Sequence, residues 1–345
     1  MKIKGVNLGN WLVLEKWMSP FLFEGTDAQD EYYLPRRLSP GVYAARLFVH
    51  RNEYITERDF AAMRRIGLNA VRIPVPYFIF GDREPFVGCI EYLDRAFDWA
   101  EKYSLRILID LHTAPGSQNG FDNGGICGVV KWAQSPEEVE FVLRVLEKLA
   151  ARYGTRKGLY GIQPLNEPLT EELWDTFDVQ RRYPPLDPEM ARGSAPISLS
   201  FLRGFYKEAY RRIRGHMKAD KAVVLHDGFQ IKAWREFLAD PELENIVLDT
   251  HQYLMVAEMM GCERDLDGYL AYIKEHFEKD IAEVGRYADI ICGEWCLFNS
   301  YACGVDTRGG KSVLSGMDFS ERREAPGTEE KRRVYRELAR AQIAA

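Results

Sequence analysis

Two glutamates each stand just past a hydrophobic run of strand length. One is Glu167 in Tyr160-Gly161-Ile162-Gln163-Pro164-Leu165-Asn166-Glu167-Pro168, the other Glu294 in Asp289-Ile290-Ile291-Cys292-Gly293-Glu294-Trp295. Two carboxylates at the C-terminal ends of parallel strands are what retaining glycoside hydrolysis requires. One serves as acid and then base, and the other as nucleophile, about 5–5.5 Å away. A buried strand that ends in a carboxylate delivers it to the mouth of a (β/α) barrel, the face on which such barrels do chemistry. An ion-paired surface role fits either glutamate poorly, because both runs are too apolar to face solvent.

The elements that must position them follow the same logic. Buried-strand patterns near 3–9, 69–74, 106–112, 160–166, 222–227, 246–253 and 289–294 alternate with helix-period stretches. The stretches lie near 56–67, 91–103, 136–153, 200–219, 231–239, 266–287 and 328–344. That alternation predicts βα units around a parallel sheet. Thr56 with Asp59 and Ser135-Pro136 read as helix starts, and Gly67 as a helix stop. Four long loops, about 10–55, 112–135, 167–199 and 295–327, all follow strand C-termini. One functional face is the expectation. The fold expected is a single (β/α)8 TIM barrel over 1–345, without internal repeats or a domain boundary.

Composition narrows the function classes. A chain of 345 residues, 46% hydrophobic, can bury a large core. Net charge −6 with scattered basic residues argues against a nucleic-acid partner. No apolar run reaches the ~18 residues of a membrane span. The N-terminus has no signal-peptide pattern, which predicts a cytoplasmic protein, although a secreted chain whose leader had been removed would read the same. Six cysteines without Cys-x-x-Cys spacing, Cys292 among them in an expected buried strand, suggest reduced thiols. No metal or cofactor is expected: no His-x-His follows the first strand, and a zinc site would leave the glutamate pair unexplained.

Collinear stretches over residues 3 to about 296 resemble glycoside hydrolase family 5, in its exo-β-1,3-glucanase-like branch. They include Gly5-Val6-Asn7-Leu8-Gly9-Asn10-Trp11, Gly67-Leu68-Asn69-Ala70-Val71-Arg72-Ile73-Pro74 and Ala114-Pro115-Gly116-Ser117-Gln118-Asn119-Gly120-Phe121-Asp122. Leu165-Asn166-Glu167-Pro168, His226-Asp227-Gly228-Phe229-Gln230, His251-Gln252-Tyr253 and Gly293-Glu294-Trp295 continue the match. The resemblance implies that Glu167 is the acid/base and Glu294 the nucleophile. It implies Arg72 and Tyr253 beside the nucleophile, Asn166 on the sugar 2-OH, and His112 and His251 binding hydroxyls or tuning the acid. Glu15 and Asp122 would hold the terminal sugar at the blind end of a pocket. Phe121 would stack on the sugar beyond the cleavage point, and Trp295 is counted with the substrate-binding residues. A second stacking aromatic, expected just after Tyr253, is replaced by Met255 and Val256. His50, His216 and His276 read as surface or structural.

The expected activity is therefore a retaining β-glycoside hydrolase that releases glucose from the ends of β-glucans, oligosaccharides or glucosides. The rivals are an endo-acting β-glucanase, a β-glycosidase acting on a small or lipid glycoside, and an inactive glycan-binding barrel. The strand count is seven rather than eight, and no residue matches the aromatic that the family carries on its last strand. The chain thus reads as the first seven βα units of a longer barrel, unless a strand lies between 304 and 327. Oligomeric state is left open.

Overall fold

The computed structural model describes residues 2–304 and 325–345. Its core is one sheet of seven strands: β1 (Gly5–Asn7), β2 (Ala70–Val75), β3 (Arg106–Leu111), β4 (Leu159–Gln163), β5 (Ala222–His226), β6 (Ile246–Tyr253) and β7 (Asp289–Cys296). They lie in chain order and every neighbouring pair is parallel. Repeated right-handed crossovers of one hand can only curl such a sheet into a barrel. All seven strands fall where the apolar runs predict them.

Both faces of the central strands are covered, which is why they read as continuous apolar runs. Outside, Ile107, Ile109 and Ile162 pack in one cluster with Leu93, Phe97, Val142, Leu146 and Leu149 of the Ile90–Lys102 and Pro136–Tyr153 helices. Inside, Leu108, Ala222, Val224 and Val247 form a layer with Tyr160 and Ile291. β4 and β5 approach so closely that a Cβ on Gly161 would sit 2.4 Å from the Ala222 carbonyl oxygen. The helix starts are as expected. Thr56 and Asp59 form a capping box, and Ser135 accepts from the Glu138 N–H with Pro136 at the first turn.

The 10–55 loop hides a 14-residue helix, Pro40–Glu53. Val42, Phe48 and Val49 lie on its exposed side, 44%, 66% and 52% accessible, and blur the amphipathic period that would have revealed it. His50 in this helix is buried, with Nε2 2.6 Å from the Asn10 carbonyl oxygen, so it is structural. The 266–287 stretch is helical in three pieces, Leu266–Tyr272, a π turn Ile273–Glu278, and Lys279–Val284.

β1 and β7 form the two ends of the sheet and do not pair with each other among the described residues. Both are partly exposed, Val6 at 39% and Trp295 at 41%. Cys292, expected inside a buried strand, is exposed for the same reason: β7 has a neighbour on one side only. Among the described residues one side-chain bond crosses the seam, from Asn7 Nδ2 to the Gly293 carbonyl at 2.8 Å. No eighth strand occurs among the described residues, and most of the 304–327 segment lies outside them. No described helix is long and apolar enough to cross a membrane.

A second apolar cluster, including Leu14, Phe23, Tyr43, Leu47, Ile126 and Val129, binds the 10–55 and 112–135 loops into a layer of their own. Two buried acids lie beside it. Asp30 accepts from the Tyr33 and Cys127 N–H groups at 3.0 and 2.8 Å, tying the loops together. Glu31 accepts from Leu14 N–H at 3.1 Å. Burial pushes Asp30 up to about 6 and, despite Arg51, Glu31 up to about 7. A carboxyl raised on folding favours the folded state fully only below its unfolded value, and that contribution disappears as pH rises through the folded one. Glu31→Gln should therefore gain stability relative to the wild type between pH 5 and pH 8, on the order of 1–3 kcal/mol. Urea unfolding at the two pH values measures it; a pH-independent difference would refute the assignment.

Candidate active site

The site is built around one buried guanidinium. Arg72 on β2 donates from Nη1 to Glu294 Oε1 at 2.7 Å and to Asn7 Oδ1 at 3.1 Å. Its Nη2 donates to Asn166 Oδ1 at 2.7 Å and lies 3.0 Å from Asp110 Oδ2, while Nε donates to Gln163 Oε1 at 3.0 Å. Every donor edge of the fork is thus used, by residues from β1, β3, β4, β7 and the loop after β4.

Glu294 also accepts from the Tyr253 hydroxyl at 2.7 Å. Burial alone would raise its carboxyl, but the charges of His251, Arg72 and His112 with the Tyr253 bond hold it at about 2. It remains a carboxylate throughout the neutral range.

Glu167 is 5% exposed. Its backbone is left-handed, φ +43°, immediately before Pro168. A non-glycine residue in that region is held against a cost of order 1–3 kcal/mol, and such positions cluster at functional sites. Its Oε1 is 2.7 Å from His251 Nδ1, and Asn123 Nδ2 reaches Oε2 at 3.5 Å. The same His251 Nδ1 is 3.7 Å from Glu294 Oε2. The nearest oxygens of the two glutamates can then be no farther apart than those two contacts laid end to end. That bound accommodates the about 5–5.5 Å of a retaining pair.

Around this pair, His112 Nδ1 meets Asp110 Oδ2 at 2.5 Å, and its Nε2 lies 3.4 Å from Asn166 Nδ2. Burial opposes a charge on His112, but Asp110 raises its affinity for the proton. Glu15 accepts from Trp17 Nε1 at 2.9 Å. Asp122 is buried and its Oδ2 has no hydrogen-bond partner. Burial, with Glu15 nearby, holds Asp122 well above the usual carboxylate range, and burial raises Glu15 as well. Both carboxyls also feel Glu167, which brings them to the same pocket.

Two expectations are corrected. Phe121 is only 5% exposed and packs between Phe177 and Tyr183, ring centroids 5.3 and 5.4 Å away. A ring enclosed by the 167–199 loop has no free face for a sugar. Trp295 follows Glu294 on β7, and strand alternation turns it to the opposite face of the sheet, where it is exposed. Trp17 is the aromatic that sequence reasoning missed, 51% exposed and anchored on Glu15. Asn123, Gln163, Asp249 and Asn7 were missed too; Asn123 and Asn7 stand within the motifs or one residue beyond, and spacing alone did not distinguish them.

Glu167, His226 and His251 bring one ligand atom each within 4.8 Å of one another, a set that could hold a metal ion. Their hydrogen bonds do not fit one. His226 Nδ1 accepts from the Gly228 N–H at 2.9 Å, so the neutral ring carries its proton on Nε2 and has no free lone pair to offer.

The family model for cellulase, glycosyl hydrolase family 5, matches residues 40–308. A probable glucan 1,3-beta-glucosidase A of Emericella nidulans is 37% identical over 304 residues, covering 85% of this chain and 67% of that protein. The glucan 1,3-beta-glucosidase of Schwanniomyces occidentalis is 35% identical, with 85% and 68% covered. That of Blumeria graminis is 36% identical, but the chain spans only 56% of its length. The rutinosidase of Aspergillus niger superposes with a TM-score of 0.67 over 96% of this chain and 94% of that one, at 18% identity, which speaks to the fold alone.

Removing the guanidinium would strand Asp110 and Glu294 without their counter-charge. Arg72→Met should cost about 3–5 kcal/mol of stability in denaturant unfolding. Arg72→Lys should recover only part, because one ammonium cannot replace a planar fork with five donors. Full recovery by Lys would show that charge alone matters there.

Proposed function

The chain belongs to glycosyl hydrolase family 5 and is a glycoside hydrolase; from that premise we propose that it hydrolyses β-linked glucosides with net retention, releasing glucose from non-reducing ends. The observation that carries this reading is the pair Glu167 and Glu294 held against one imidazole, close enough to serve as the facing carboxyls of a retaining site.

In this reading Glu294, kept ionised by His251, Arg72 and Tyr253, attacks the anomeric carbon. Glu167 protonates the leaving oxygen. Once Glu294 is esterified its charge is gone, and Glu167, now ionised, takes a proton from the incoming water. Asn166, whose Oδ1 accepts from Arg72, would bind the sugar 2-OH in this reading.

End-on action is supported by Glu15 and Asp122. Two carboxyls at one side of the pocket, each able to bind vicinal hydroxyls, suit a terminal sugar. The loop layer that carries them is a packed core rather than an open cleft. The β-1,3 linkage is proposed from the named activities of the fungal relatives.

Proton NMR of the first-formed sugar should show the β-anomer, and an initial α-anomer from a β-substrate would sink the reading. Laminari-oligosaccharides should yield glucose from the earliest time points; early mixed longer products would indicate an open cleft. Glu294→Ala should lose turnover and regain part of it with azide, as the α-glycosyl azide. Rescue confined to Glu167→Ala, or giving the β-azide, would reverse the two roles.

A further inference from the structure

We propose that Asp249 is a positioning residue that holds His251 as the cation beside Glu294, in the orientation in which its Nδ1 meets Glu167. The inference rests on the retaining reading of Glu167 and Glu294.

Asp249 lies on β6, two residues before His251, and is fully buried. It touches no group assigned to the sugar. Its Oδ1 accepts from the Gly293 N–H at 2.6 Å, and its Oδ2 accepts from Gln163 Nε2 at 2.8 Å. The same Oδ2 is 3.4 Å from His251 Nε2, an ion-pair approach rather than an aligned hydrogen bond. His251 Nδ1 is the nitrogen that meets Glu167. The imidazole therefore presents Nδ1 to a carboxyl oxygen of Glu167 and Nε2 to Asp249, an arrangement that suits a proton on each nitrogen.

The other charged groups around the ring favour the same state. Glu294 on β7 faces Nδ1. Arg72 on β2 stands beyond Glu294, and His112, just past β3, stands beyond Asn166; as cations both oppose a further charge. His226 on β5 packs its ring at right angles, centroids 4.4 Å apart, and is neutral, since burial and the His251 charge push it well below its usual range. Burial of His251 favours the neutral form, yet Glu294 and Asp249 hold it protonated.

Asp249 also governs the nucleophile's strand. Thr250 pairs with Cys292 but His251 with Glu294, so β7 bulges at Gly293. A Cβ on Gly293 would fall 2.3 Å from Asp249 Oδ2, which explains a residue without one. One carboxylate thus reaches Glu294 through the bulge, Glu167 through His251, and Arg72 through Gln163.

With 15N-labelled histidine, the wild-type protein should show His251 doubly protonated at neutral pH and losing its second proton only well above the ordinary imidazole range. In Asp249→Asn that titration should move down towards the ordinary range. The acidic limb of kcat/KM should then move up by about 1–2 pH units, because Glu294 keeps Arg72 but has lost the imidazolium charge beside it. A neutral His251 at pH 7 in the wild type overturns the proposal without any variant. So does a folded Asp249→Asn enzyme with lowered kcat and an unmoved pH profile, which would mark a scaffold role only. Neither result bears on retention, which the product anomer tests separately.

Discussion

The site depends on burying a positive charge where strands from around the barrel converge. Arg72 is 5% exposed and uses all three of its nitrogens on side chains from separate elements. A buried guanidinium is tolerable only when every donor is met and the charge is balanced. Asp110 and Glu294 balance it, while Gln163, Asn166 and Asn7 satisfy the remaining donors. Each partner is fixed in place by the same need, so geometry suited to catalysis is also what makes the charge affordable.

Around that centre the charges alternate. Glu294 is held ionised by cations on one side, while at the other burial raises Asp122 strongly and Glu15 against the opposing pull of His112 and Trp17. One pocket thus sets carboxyls apart, an anion at one side and more proton-retentive groups at the other. The difference lies in the neighbours, since all three side chains are carboxylic acids of nearly equal intrinsic strength.

What was legible in the sequence was whatever local chemistry enforces. Strands covered on both faces must be apolar, so all seven could be read, and so could capped helices such as Glu57–Arg65. Glu167, Glu294, Arg72, His251 and Tyr253 sit in motifs whose spacing survives folding, and the structure gathers them. The Pro40–Glu53 helix escaped because its outward side is apolar. Phe121 and Trp295 were misjudged because a ring's availability depends on what packs against it, which spacing does not record. Asp249 escaped because a buried aspartate within a strand looks like any other until its partners are known.

Glu294 rides on an end strand of the sheet. Among the described residues β7 pairs with β6 alone, and one asparagine amide spans the gap to β1. Local opening draws on regions with few buried contacts. If β7 opens first on warming, Glu294 leaves its partners while the well-buried strands β2 to β5 still stand, and activity falls before the barrel melts.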